Sequence, residues 1–487
     1  MTRINFRAIV RFTRRAPAAA GVALFMAALL SGCASMRSYQ FEMNRAIDLV
    51  EVGHVEAALE AHDGNHRASR RQLLYWLERG ELLRLAGRYE ESQQAWMRAD
   101  AQVQQWENTA RARPDRLLRD AVSLLVSDRA RAYEGADFEK VMLTARMALN
   151  HMALGEWDLA RVAVRRTHER EAVIARLREG QVARAEEEAQ KRGQTRSFRE
   201  LDGYPVQTID SPEVNALRNS YQSAFSHYLA GFLYEALGEP SLAAAGYRQA
   251  IELQPGIPLL EQSLAGLDAR VFDRDPGRAE LLVVIERGSA PARASAQVNL
   301  PVFTDAGMLL VPVSMPVIRN TGFVAPVDTV SIDGVAAASV PTITSVDLMA
   351  RRQLRDEMPW IMLRSVTRAT AKGILQHQAM RQDDTGLAGA LALIGTILTE
   401  QADERSWRTL PAEISVARVN VGRGVQRLRI ESGSRVHEFD VNVDDRYALV
   451  SVRMLGNRAY IAAPPAPQGD RVREAAPFVI GADAAFR

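Results

Sequence analysis

One cysteine and a small set of histidines are the side chains here with the widest chemical range. Cys33 is the only cysteine in 487 residues, and three of the eight histidines, His54, His62 and His66, lie close together with Asp63 beside the second. Imidazoles and a carboxylate are donors that zinc takes. However, Asp63-Gly64-Asn65 is turn-forming sequence, expected to interrupt the helix and with it the i, i+4 geometry of His62 and His66. Solvated histidines between helical units are the preferred reading, and no metal site is expected. His168-Glu169 begins like a metalloprotease helix, but Ala172 stands where the second histidine is needed. No G-x-S-x-G, no glycine-rich loop followed by Lys-Ser/Thr and no S-x-x-K occurs. Those absences remove common enzyme classes without removing enzymes in general. No catalytic residue and no cofactor is assigned. A lone cysteine also rules out an internal disulfide and a thiolate metal cluster.

The position of Cys33 gives it a different chemistry. Five arginines (Arg3, Arg7, Arg11, Arg14, Arg15) and no acid precede an apolar stretch from Ala18 to Leu30. This is the basic region and short apolar region of an export signal. A spanning helix needs about 20 apolar residues, so the run is too short to stay as a membrane anchor. Leu30-Ser31-Gly32-Cys33 resembles the lipobox of bacterial lipoproteins, in which small residues admit the peptidase and the thiol takes a diacylglycerol. Residues 1–32 are therefore expected to be a signal peptide and 33–40 a lipidated tether. Thr13-Arg14-Arg15 faintly resembles a twin-arginine signal, but Pro17 stands where that signal wants an apolar residue, and Sec export is preferred. Ala34, in place of an aspartate, points to sorting to the outer membrane, facing the periplasm.

Removing those five arginines takes the formal net charge from +2 to about −3. What remains is of mixed sign throughout, without the concentrated basic surface a nucleic-acid protein needs. No nucleic-acid partner is expected.

The elements that must position any site divide the chain in two. From about 41 to 275 the sequence is rich in Ala, Leu, Arg and Glu at helical spacing, and an all-helical region is expected. Gly231, Tyr234, Gly238, Ala243, Tyr247, Ala250 and Pro255 fall at positions 8, 11, 15, 20, 24, 27 and 32 of a 34-residue unit. That spacing closely resembles a tetratricopeptide (TPR) repeat. Gly231 and Ala243 are small where paired helices touch, Gly238 lets the chain turn, Tyr234 and Tyr247 fill the groove toward the next unit, and Pro255 closes the second helix. Diverged units are marked by Gly53 with Ala58, Gly87 with Ser92 and Gly155 with Ala160. Three to five helical hairpins in a short solenoid follow; an irregular bundle with one good repeat is the alternative. One long charged helix is expected over about 157–192, and Ser211 is placed to cap a helix opened by Pro212.

After Asp275-Pro276-Gly277 the composition shifts to β-branched runs. A β-sandwich-like domain is expected over 279–463, with strands near Val298, 309–313 and 329–332 and again from Glu413, and with 464–487 as a loose tail. A helical insertion over about 346–407 contains helices 347–355 and 360–377, separated at Pro359. The fold class is thus α plus α+β. The apolar segment 386–399 is too short to span a membrane and reads as a buried helix or a contact surface. Trp407-Arg408-Thr409-Leu410-Pro411 reads as a packing corner.

Peptides bound by tetratricopeptide repeats lie along an inner face that in the best unit here is Phe225, Tyr228, Phe232, Glu235 and Ala236. The aromatics Phe225, Tyr228 and Phe232 near a carboxylate suit an apolar segment of a partner. A clamp for a C-terminal carboxylate needs Lys, Arg or Asn on such a face, and this one has none. Packing against the long helix is the competing use of the same side chains.

LSGC, YEGADFEKVMLTARMALNHMALGEWDLARV, HYLAGFLYEALGEPSLA and ADERSWRTLPAEISVAR together resemble an uncharacterised family of proteobacterial tetratricopeptide lipoproteins with a C-terminal β-containing domain. The resemblance implies the compartment and the architecture, and through neighbouring lipoproteins that activate penicillin-binding proteins it implies cell-envelope assembly. The expected function is a lipid-anchored periplasmic scaffold binding an envelope protein partner. The alternative is an envelope enzyme or ligand-binding protein with its site in the β-containing domain.

Overall fold

The computed structural model describes residues 39–65, 72–112, 132–191, 199, 203–272, 275–304, 307–319, 322, 324–382 and 402–463. The chain is mixed α and β. Its first half forms hairpins: α1 (Tyr39–Glu51) with α2 (Val55–Asn65), α3 (Leu73–Leu85) with α4 (Tyr89–Ala112), and α5 (Asp137–Ala153) with α6 (Trp157–Lys191). Short α7 (Pro212–Ala216) precedes a fourth hairpin of α8 (Ala224–Ala236) and α9 (Pro240–Leu253), then α10 (Pro258–Ala265) and α11 (Leu267–Phe272). Ser211 caps α7 as expected, its hydroxyl accepting from the Val214 N–H.

The four hairpins share one backbone device. Gly53, Gly87, Gly155 and Gly238 all have positive φ, between 71° and 95°, which a side chain resists and glycine adopts freely. After each, the next N–H reaches the carbonyl five residues back: His54 to Leu49, Arg88 to Leu83, Glu156 to His151 and Glu239 to Tyr234, all at 2.8–2.9 Å. This is the helix-ending bond pattern that a left-handed glycine makes possible. Each preceding helix stops there, and its partner starts at once.

Contacts within the last hairpin are set by small residues. A Cβ on Gly231 would lie 2.6 Å from the Tyr247 ring, and one on Gly246 would lie 2.7 Å from the Gly231 backbone nitrogen. The helices therefore touch at Gly231, Gly246 and Tyr247, and Ala243, Ala250 and Tyr247 are fully buried. Tyr234 is buried as well. Pro255 stands in the turn just beyond α9. Two expectations fail. Residues 63–65 continue α2 because His62 is only 2 % exposed, ring-stacked on Tyr75 and within hydrogen-bond distance of its carbonyl; it is not a solvated histidine. Pro359 does not separate two helices either. It lies inside α12 (Val346–Gln382), where the buried neighbours Leu354, Met358 and Ile361 offset the lost backbone bond.

The second half contains β1 (Arg278–Arg287), β2 (Arg293–Thr304), β3 (Gly307–Ile318), β4 (Thr329–Ile332), β5 (Val335–Ala336), β6 (Thr342–Ser345), α12, β7 (Glu413–Gly422), β8 (Gly424–Ser432), β9 (Arg435–Val443), β10 (Tyr447–Leu455) and β11 (Arg458–Ala462). A five-stranded sheet runs β11-β10-β1-β7-β6, a four-stranded sheet runs β5-β4-β8-β9, and β2 pairs with β3 alone. Pro312 and Pro316 sit in that isolated pair, where a missing N–H costs the larger sheets nothing. Strand β1 lies between β10, which is parallel to it, and β7, which is antiparallel. It is buried on both faces. Leu281, Val283 and Ile285 meet Ile430, Phe439 and Val441 of the four-stranded sheet, whereas Leu282 and Val284 join the helical core with Leu149, Phe232 and Tyr247. The alternation of a strand thus serves two cores, and helices, five-stranded sheet and four-stranded sheet follow one another as layers.

The composition shift at 275–277 coincides with the passage from helix to strand, but the core continues across it. Residues 407–411 form the expected packing corner and do more than fill space. Trp407 is fully buried and its N–H donates to Glu139 at 2.7 Å. Glu78 of α3 accepts from the Arg408 and Thr409 N–H groups and the Thr409 and Tyr39 hydroxyls at 2.5–3.0 Å. Among the described residues no helix is long and apolar enough to cross a membrane. Leu30, Ser31, Gly32 and Cys33, together with His66, the segment 386–399 and the tail, lie outside the described residues.

Candidate functional site

The inner repeat face is not open to a partner. Phe225, Tyr228 and Phe232 are 0 % exposed and Glu235 is 1 %. Phe232 meets Tyr447 of β10 edge-on at 5.8 Å and Trp157 of α6 at 6.5 Å, and the Arg418 guanidinium of β7 lies over its ring. The Tyr228 hydroxyl bonds Ser263, 3.0 Å away. Glu235 accepts from Arg270 (2.7 Å), Arg418 (2.5 Å) and the Tyr247 hydroxyl (2.6 Å). Burial alone would raise the Glu235 carboxyl, but these two arginines overcome it and hold the group at about 2. The expected partner-binding residues are therefore corrected to an internal seam. The occupant of the face is the chain's own second half, because a sheet with a buried apolar face needs a cover and this row of aromatics supplies it.

The open polar space lies elsewhere. A cavity of about 230 Å³ is enclosed by α4, α5, α6, β2 and α12. Trp106, Tyr133 and Trp360 give it aromatic walls, and Asp137, Lys140, Arg178, Arg293 and Glu357 give it charge of both signs. Most of these charges are already engaged. Asp137, 2 % exposed, pairs with Lys140 at 3.3 Å and with Arg178. Arg178 continues to Glu357 at 3.1 Å and Gln181 at 2.8 Å. Gln353 ties Glu357 to the Asp137 backbone at 2.8 and 2.9 Å. The Lys140 ammonium donates to the Gly135 carbonyl at 2.8 Å and lies 3.9 Å from the Trp106 ring centre.

Arg293 is held differently. Its ion pair with Glu357 is long, 3.9 Å, and its buried Nε has no hydrogen-bond partner among the described residues. Burial would lower its pKa, yet Glu357 and Asp403 raise it, so it carries a full charge. Two carboxylates of the lining are held in the ionised form. Burial pushes Asp137 and Glu357 up, but Arg178 with Lys140 holds the first below the usual range, and Arg178 with Arg293 does the same for the second. Neither holds a proton to donate near neutral pH. The described lining contains no serine, threonine, cysteine or histidine, and among the described residues no group of three or more His, Cys, Asp and Glu is placed to hold a metal ion. With Glu134, Asp403 and Arg364 also in the lining, four acids and four bases stand between the aromatic walls.

No protein-family model matches the chain, and no curated protein matches it in sequence.

Sequence reasoning passed over Tyr133, Asp137, Lys140, Arg178, Arg293, Glu357 and Trp360. One signal was present. Lys140 is one of three lysines beside fifty-eight arginines, and it lies in the dense polar start of α5. Nothing in the sequence joins that start to residues 293 and 360, which come from the other half.

Proposed function

We propose that the chain is a lipid-anchored envelope scaffold that captures a protein partner by the partner's carboxyl-terminal end, held in the cavity between the helical and β halves. The observation that carries this reading is Arg293, a charged guanidinium that lines the cavity with Trp106 and Trp360 and whose ion pair with Glu357 is long, 3.9 Å. Capture of a terminal carboxylate by a cation in a pocket is a recurring way of reading peptides, and the volume suits two or three small residues. In this reading the helical layer is a set of diverged tetratricopeptide units, supported by four identical glycine turns, and the two larger sheets form a sandwich. The inner face of the repeats is given over to the sheet, so recognition moves to the cavity.

The mature lipoprotein, extracted in mild detergent, is titrated with trialanine and with trialanine amide while tryptophan fluorescence is followed. The free carboxylate is expected to change the emission of Trp106 and Trp360 saturably, with the amide at least about tenfold weaker, as loss of a charge-assisted bond implies. Arg293→Met is expected to abolish the difference without lowering the melting midpoint. Equal responses to the two peptides contradict the carboxylate reading.

Localisation is proposed from the N-terminal sequence. Cys33→Ala is expected to stop incorporation of labelled palmitate and leave an uncut precursor in the inner membrane, whereas the wild type fractionates with the outer membrane. Labelling that persists in the variant rules out Cys33 as the acylated residue.

A further inference from the structure

Where α3 and α5 meet β1 and β10, two carboxyl and three guanidinium side chains are buried together. Glu81 and Arg84 come from α3, Arg146 from α5, Glu286 from β1 and Arg453 from β10, and none is more than 5 % exposed. Arg146 is matched on both sides: Glu81 accepts from it at 2.6 and 3.1 Å, and Glu286 pairs with its other nitrogen. Those two carboxylates are thereby used. Arg84 bonds the Ser451 hydroxyl and Arg453 bonds the Thr409 carbonyl at 2.9 Å, neither of which carries charge. Three guanidiniums therefore face two carboxylates. Arginine does not shed its proton to relieve such an excess, and an uncompensated charge is far more costly in the interior than a paired one.

The hydrogen bonding shows the same shortfall. Nε and Nη1 of Arg453 and Nε of Arg84 are buried with no partner among the described residues. Both side chains line a small cavity together with Arg146, Ser451, Tyr460 and the two carboxylates Glu81 and Glu286 that Arg146 engages. Its volume is about 10 Å³, room for a single particle near the size of a water molecule. We propose that this cavity binds one monoatomic anion, chloride in the cell, which takes the free donors of Arg84 and Arg453 and balances the third guanidinium. Bound there, the ion joins a helix of the first half to a central strand of the second. Sulfate and phosphate are too large for the space. A water molecule could take the same donors but would leave the excess charge in place.

The test uses the mature protein in detergent at fixed ionic strength, with chloride exchanged for gluconate, which cannot enter. The melting midpoint is expected to rise with chloride and to saturate, as mass action on a folded-state site requires. Crystals soaked in bromide are expected to show an anomalous peak between Arg84 and Arg453. Arg453→Met removes the excess cation and is expected to flatten the chloride dependence; Arg84→Met serves the same purpose if the first variant does not fold. Equal midpoints in chloride and gluconate, or a fully occupied water with no bromide signal, overturn the proposal. A chloride effect that survives both substitutions overturns it too.

Discussion

Glu235→Gln is expected to destabilise the protein by about 3–5 kcal/mol, the usual consequence of removing one partner from a buried ion pair. Two arginines from different halves, Arg270 and Arg418, converge on that carboxylate, and the substitution leaves Arg270 without its counter-charge and Arg418 with Glu280 alone, 2.8 Å away. The pH dependence gives a second, independent readout. The folded Glu235 carboxyl is depressed to about 2 from an ordinary 4.5. Its contribution is therefore complete above the ordinary value and is lost as pH falls from about 4.5 through about 2. At about 1.4 kcal/mol per unit this amounts to roughly 3 kcal/mol. Glu78 acts with the opposite sign. Burial, partly offset by its four donors, raises it to about 7; the folded state binds the extra proton, so this group adds stability as pH falls from about 7 toward 4.5. Denaturant melts from pH 7 to pH 3 should show a loss of stability below about pH 4.5 in the wild type and a shallower loss in Glu235→Gln. An unchanged acid limb in the variant would show that the seam network carries no net energy.

Gly231→Leu is expected to cost about 3 kcal/mol or more, at or beyond the upper end of ordinary overpacking. A Cβ at that position already falls 2.6 Å from the Tyr247 ring, and leucine adds three further carbons beyond it. Gly246 brings backbone, which cannot rotate away, to the same spot. Moving Tyr247 aside would also withdraw its hydroxyl from Glu235, so the damage spreads into the seam. A melting midpoint equal to that of the wild type would mean that the α8 and α9 helices are not in contact at this register.

Much of the fold was legible because local chemistry writes it plainly. Glycines at 53, 87, 155 and 238 mark turns through a backbone conformation that other residues resist, and each one sits in a hairpin. The β4 boundaries and the start of β7 follow from β-branched alternation. Pro359 and Asp63-Gly64 misled because propensity is a weak rule, and tertiary packing around Met358 and His62 overrides it. The inner face misled for a different reason. Repeat spacing puts Phe225, Tyr228 and Phe232 on one face of a helix, and they are buried; it does not specify what covers that face. Filling it with β7 and β10 requires pairings some two hundred residues apart, which no window of sequence carries. The cavity was hidden on the same account, since Arg178, Arg293 and Glu357 become neighbours only when both halves are in place.

The most direct test of carboxyl-terminal capture is photocrosslinking in living cells with a benzophenone amino acid replacing Trp360, which lines the cavity. Mass spectrometry of the crosslinked peptides is expected to find the last residues of an envelope protein, with the free terminal carboxyl intact, and Arg293→Met in the same chain should abolish the crosslink. Crosslinks confined to internal segments of partners, or crosslinks unaffected by Arg293→Met, would contradict the account.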